Sequence, residues 1–148
     1  MANTMVLTKI LQLRENEKKM VQKDYTQSTE KFESVAMDLY RLLKKKENAE
    51  KMYEDYINAS VPLHQIKQIS FYIDSIKDDI LAFQQKVNKA RNEMELKQAE
   101  LTDAHIEVKK FEKLIERRTN EERHYLKKVE NAFMDEISLN QFMNSKNR

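Results

Sequence analysis

Ile66-Lys67-Gln68-Ile69-Ser70-Phe71-Tyr72-Ile73-Asp74-Ser75-Ile76-Lys77-Asp78-Asp79-Ile80 decides the fold, because isoleucine returns five times at spacings of three and four residues. That alternation places the apolar side chains on one side of an α-helix. The same register continues through Phe83, Val87, Ala90, Met94, Lys97, Leu101, Ala104, Val108, Phe111, Ile115, Arg118, Glu122, Tyr125 and Val129 to Ala132 without a slip. Three of these seam positions, Lys97, Arg118 and Glu122, are charged. A straight helix drifts away from a strict seven-residue repeat, so a seam this long stays on one side only if the helix supercoils against a partner. At ~1.5 Å per residue the stretch spans on the order of 100 Å. The expected molecule is a rod, able to span, brace or turn something and offering little room for a pocket.

The sequence supplies its own partner. A second seam runs upstream through Leu7, Leu11, Arg14, Lys18, Val21, Tyr25, Ser28, Phe32, Val35, Leu39, Leu42, Lys46, Ala49, Tyr53 and Tyr56, again without a slip. Between the two seams lies Asn58-Ala59-Ser60-Val61-Pro62, which holds the chain's one proline. Here Ser60 is expected to cap a new helix and Pro62 to occupy its first turn. A short connection between long helices makes them antiparallel. The fold predicted is therefore all-α, a long antiparallel two-helix coiled-coil hairpin forming a single domain over residues 1–148. Helix 1 covers about 4–58, the loop about 59–62, and helix 2 about 63–137 or beyond, its last part overhanging. With Tyr56 opposite Ile66, the layers become Tyr53 with Ile69, Ala49 with Ile73, Leu42 with Ile80, Leu39 with Phe83, Phe32 with Ala90, Val21 with Leu101, Leu11 with Phe111 and Leu7 with Ile115, a slide of one heptad at the loop being the alternative. Large residues meet small ones across several of these layers, as a two-helix core requires.

Composition agrees with a thin, polar, helical chain: 148 residues, 35% charged, no Gly and no Cys. The absence of Cys excludes disulfides and thiolate metal sites and fits a reducing cytoplasm. The N-terminus lacks the pattern of a secretion signal, and no apolar run is long enough for membrane insertion, so a soluble protein is expected. Net charge is +2, from 27 basic and 25 acidic residues. Lys44-Lys45-Lys46, Lys109-Lys110, Arg117-Arg118 and Lys127-Lys128 all have Glu close by, the interspersed pattern of solvated coiled-coil faces. Nucleic-acid binding needs an unbalanced basic surface, so no nucleic-acid partner is expected.

No catalytic, cofactor or metal site is expected either. His64, His105 and His124 are too far apart on antiparallel helices to share a metal. Asp74 and Asp78 are one helical turn apart, but two carboxylates fall short of a calcium site. Without Gly, no loop of the P-loop or dinucleotide kind can be built. The polar seam residues Arg14, Lys18, Ser28, Lys46 and Lys97 read as register-setting devices, their long stems lying along the core; local loosening for movement is the alternative.

What the sequence does offer is apolar surface left over. If Leu7 lies opposite Ile115, about thirty residues of the second helix extend past the pairing, and they include Tyr125, Leu126, Val129, Phe133, Met134, Ile137, Leu139, Phe142 and Met143. An apolar face that outlasts its partner is a candidate interface. The alternative is local, since Thr119-x-x-Glu122 has the form of a capping box, where the chain could break and fold back. Val6, Ile10 and Leu13 broaden the first helix's stripe at the same end. A smaller patch, Phe71 and Tyr72 near Leu63, falls away from the seam close to the loop and is expected to be exposed.

Three strings, in order along the chain, point to a family. Leu7-Thr8-Lys9-Ile10-Leu11-Gln12-Leu13-Arg14-Glu15-Asn16-Glu17-Lys18 resembles the amphipathic opening of the flagellar FliJ proteins, and Met134-Asp135-Glu136-Ile137-Ser138-Leu139-Asn140-Gln141-Phe142 resembles their C-terminal signature. Ile69 to Ile76 is similar to the segment that opens their second helix. The resemblance implies a cytoplasmic component of the flagellar type III export apparatus, peripheral to the membrane-embedded export gate and similar in shape to the central shaft of rotary ATPases. It further implies that the joined termini bind the hexameric flagellar export ATPase, through Leu7, Ile10, Leu11, Leu13 and Arg14 together with Met134, Ile137 and Phe142. A surface nearer the loop, carried over to Phe71, Tyr72, Ile76 and Phe83, is implied to contact the cytoplasmic domain of the export gate membrane protein, and export chaperones are implied as further partners. The competing classes are a structural or chaperone-like hairpin that holds unfolded clients and a stalk subunit of another rotary ATPase.

Overall fold

The structure is a computed structural model that describes residues 2–147. Two α-helices account for nearly all of it, α1 (Ala2–Asn58) and α2 (Leu63–Lys146), packed against each other as a helical hairpin. No Gly or Pro interrupts either helix, and their sequences are rich in Lys, Glu, Gln, Leu and Met, all good helix formers. Ion pairs along single helices, such as Lys44–Glu47, Lys46–Glu50 and Lys109–Glu112, add support worth about 0.3–0.5 kcal/mol each at such exposed sites.

The contacts group into two compact units. One comprises residues 19–102 and contains the turn. Its core is Ala49, Ile73, Ile76 and Ile80, with Leu39, Leu42, Tyr53 and Ile69 packed against them. All of these are seam positions of the two heptad registers. Across this pair of helices Lys31 reaches Glu93 at 3.7 Å and the Arg91 guanidinium sits 5.6 Å from the centre of the Phe32 ring. The other unit comprises the described residues up to 18 together with those from 103 onward. There Leu7 and Val108 are buried, and the Arg14 guanidinium lies 5.8 Å from the centre of the Phe111 ring. Arg14 behaves as a long cationic stem laid along the seam: its Nη1 donates to both Glu17 carboxylate oxygens, at 3.0 and 3.1 Å. Its Nε is buried without a protein acceptor.

The turn corrects the expectation for Ser60. Instead of capping α2, Ser60 ends α1: its N–H donates to the Ile57 carbonyl and the Val61 N–H to the Tyr56 carbonyl, the paired bonds of a Schellman motif. Ser60 takes a left-handed backbone, φ 54°, at the position glycine ordinarily fills. In a chain with no glycine a small polar residue has to accept that conformation. Pro62 then provides the entry to α2, its carbonyl accepting from the N–H groups of Gln65 and Ile66. It lacks an N–H to satisfy, and its fixed φ suits the start of a helix.

Candidate functional site

The seam of α2 is partly or fully buried at every position from Ile66 to Glu122, and the seam of α1 from Leu7 to Tyr56 likewise. Past Glu122 the pattern changes abruptly. Every residue from Arg123 to Glu136 is exposed, although the apolar periodicity continues and α2 runs unbroken to Lys146. Thr119 therefore lies inside the helix, and no break or fold-back occurs at the Thr119–Glu122 string. Tyr125 is 68% exposed, and Leu126, Val129, Phe133, Met134, Leu139, Phe142 and Met143 are exposed with it. Successive residues at intervals of four, Tyr125, Val129, Phe133 and Ile137, form a slowly winding stripe on one side of the helix. Ile137 is half-buried.

The N-terminal part of α1 belongs to the same unit and adds Met5, Val6 and Leu13 as exposed apolar side chains. Of the residues singled out at this end, Leu13, Met134 and Phe142 present open surface, Ile10, Leu11, Arg14 and Ile137 are half-buried, and Leu7 is turned into the seam. Apolar side chains left in water on a formed helix favour a second apolar surface, each worth roughly 1.5–3 kcal/mol if fully covered, before the costs of association.

The residues near the turn divide in two. Phe71 is 70% exposed, with Tyr72 next to it and Leu63, at the start of α2, exposed as well. Ile76, at 3% exposure, is part of the core, and Phe83 is half-buried with the Lys86 ammonium 4.6 Å from its ring centre. Phe71 and Tyr72 thus face solvent, while Ile76 and Phe83 lie on the seam side of the same helix. Sequence reasoning passed over one further feature of this unit, a shallow apolar hollow on α1 lined by Phe32, Glu33, Ala36, Met37 and Tyr40. The signal was present: Ala36, Tyr40 and Leu43 recur at four and three beside the seam, a second stripe that the seam does not use.

Among the described residues, no group of three or more His, Asp or Glu side chains is placed to hold a metal ion, and no helix is long and apolar enough to cross a membrane.

Fold and surface together define a two-helix hairpin with one uncovered apolar helix end and a pair of exposed aromatic rings near its turn. The family model described as "Flagellar FliJ protein" matches residues 4–147. The flagellar FliJ protein of Bacillus subtilis (strain 168) is 36% identical over 135 residues, covering 91% of this chain and 92% of that protein. No solved structure matches. The chain belongs to the FliJ family.

Proposed function

We propose that this chain is a cytoplasmic component of the flagellar protein export apparatus that docks onto the hexameric export ATPase and promotes its assembly or turnover. The observation that carries this reading is the continuation of the α2 seam, uncovered, past Glu122 in the unit that also holds the start of α1. A helix end of this kind suits insertion into a ring, where apolar walls can cover it from more than one side. Leu13, Phe142 and Met134 supply outward contacts, Ile10, Leu11 and Ile137 flank them, and Leu7 and Arg14 shape the surface from the seam. Phe71 and Tyr72 form the contact with the cytoplasmic domain of the export gate, and export chaperones are escorted as further partners.

The test replaces Val129 and Phe133 together with Asp and measures stimulation of the cognate flagellar export ATPase by the intact chain and by the variant. Both positions are exposed, so helicity by far-UV circular dichroism should not change, whereas stimulation should disappear. Full stimulation by the variant places the contact elsewhere. An intact chain that leaves the ATPase unaffected but suppresses aggregation of unfolded proteins supports the client-holding reading in its place.

A further inference from the structure

We propose that the outward face of α2 between Lys109 and Lys127 docks electrostatically on an anionic lipid surface. In linear order the basic residues of this stretch alternate with Glu, the pattern of a solvated coiled-coil face. The unbroken helix sorts them. In each heptad the three positions farthest from the seam hold Lys109, Lys110, Lys113, Arg117, Arg123 and Lys127, all exposed, against one acidic residue, Glu116. Asn120 and His124 complete the row and are exposed too. The acidic residues that look interspersed lie elsewhere on the helix, beside the seam at Glu107, Glu112 and Glu121 and in it at Glu122. Further up α2, the same outward positions carry Lys67 and Lys89 against Asp74, Asp78, Glu95 and Asp103. The outward face thus changes sign along one helix, and the basic row is not the general condition of its solvated side.

The chemistry of the row selects its partner. At ~1.5 Å per residue it is ~27 Å long, and no position in it is apolar. The core of a protein–protein contact is apolar and depleted of Lys, whereas four of the six cations here are Lys. A flat anionic surface touches the outward row alone, while a partner that wraps around the helix would also meet Glu112 and Glu121. Four to eight Lys and Arg on one helix face is the usual footprint of anionic headgroup binding, and each cation held near such a surface raises affinity about fivefold. Lys109 pairs with Glu112 at 3.2 Å, an exposed pair that is screened by water and leaves the cation able to turn toward a headgroup. A nucleic acid is the weaker match, because the chain as a whole carries a net charge of only +2.

The contact is peripheral, since among the described residues no helix is long and apolar enough to cross a membrane. It does not rest on ATPase docking. Tyr125 and Val129 are seam positions, on the side of α2 away from the basic row. A chain held on lipid by Lys113 and Arg117 therefore still presents its apolar stripe away from the lipid, and the two contacts are compatible.

The experiment mixes the full chain with vesicles of phosphatidylcholine containing about a third phosphatidylglycerol, and with vesicles of phosphatidylcholine alone, and measures co-sedimentation. At about 0.1 M salt the chain should bind the first and not the second, and about 1 M salt should release it. Lys113→Gln with Arg117→Gln should weaken binding about 25-fold at unchanged helicity, both sites being exposed. Lys67→Gln with Lys89→Gln removes the same charge from the other stretch of the outward face and should leave binding within about twofold of the intact chain. Tyr125→Ser with Phe133→Ser should bind like the intact chain. No binding to the anionic vesicles overturns the proposal. So does an equal loss in the two Gln pairs, which makes net charge the cause, or a loss confined to the Ser pair, which makes the apolar end the anchor. Tighter binding to a short DNA duplex than to the vesicles at the same salt overturns the choice of lipid.

Discussion

Two substitutions five residues apart on α2 separate the face that holds the hairpin together from the face that is free to bind. Ile76 is 3% exposed and sits with Ala49, Ile73 and Ile80 in the core of the turn-containing unit. Ile76→Ala removes three buried carbon groups at about 0.8 kcal/mol each, about 2.4 kcal/mol in all. A two-helix core is thin and its neighbours can close part of the space, so the added cavity cost should be small and the total should stay near 2.5 kcal/mol. Phe71 is 70% exposed. At most about a third of a ring worth roughly 2 kcal/mol is covered, and Ala is the better helix former by about half a kcal/mol, so Phe71→Ala should be neutral within about 0.5 kcal/mol. Urea unfolding followed by far-UV circular dichroism measures both. If the export-gate reading is right, binding to the gate's cytoplasmic domain should show the complementary pattern: Phe71→Ala with Tyr72→Ala weakens it while leaving stability untouched. A loss above 1 kcal/mol for Phe71→Ala, or below 1 kcal/mol for Ile76→Ala, refutes the register.

Three further outcomes can be checked in the same unfolding assay. Ser60→Gly should stabilise the chain by about 1 kcal/mol by relieving the left-handed backbone of a residue with a Cβ, whereas Ser60→Val should destabilise it by at least as much. Lys97→Leu replaces a half-buried cation in the seam, whose ammonium pairs with Glu100 at 3.4 Å, and should raise stability by about 1–2 kcal/mol. Tyr125→Ser with Phe133→Ser removes two exposed rings and should shift the midpoint by no more than about 0.5 kcal/mol, since neither ring is in the paired seam.

The pairing of the helices was legible because a strict heptad carries its own error check. One slip in either register would have put a polar residue into the core and an apolar one outside, and no slip occurs between Leu7 and Tyr56 or between Ile66 and Glu122. The turn was less legible. Serine favours the start of a helix, which is how Ser60 reads, but in a chain without glycine a small polar residue also takes the left-handed position that ends one. Ser28 shows how a polar seam residue is accommodated: it is 7% exposed, and its hydroxyl donates to the Tyr25 carbonyl one turn back at 2.8 Å. The bond is local, so the hydroxyl is satisfied inside its own helix without a partner across the seam. The apolar hollow beside Tyr40 escaped because attention to the seam assigns every flanking apolar residue to the solvated face.

The candidate site was legible for a different reason than the core. Tyr125 and Val129 follow the same spacing rule as Ile73 and Val87, and nothing local separates residues that are buried from residues left in water. The distinction lies in the partner: α1 has 57 residues and α2 has 84, so the rule that folds the hairpin continues on α2 where no described residue of α1 stands opposite. Helix length and register together therefore locate the uncovered surface, while neither does so alone. The same logic governs what can cover the stripe. A heptad seam accepts any complementary apolar surface of matching spacing, so specificity must come from its departures from the ideal, and here those are Glu136, a charged residue at a seam position, and the exposed ring of Phe133 beside the seam. Substitutions at these two positions should discriminate among partners more sharply than substitutions at Val129 or Leu139, which every partner would bury alike.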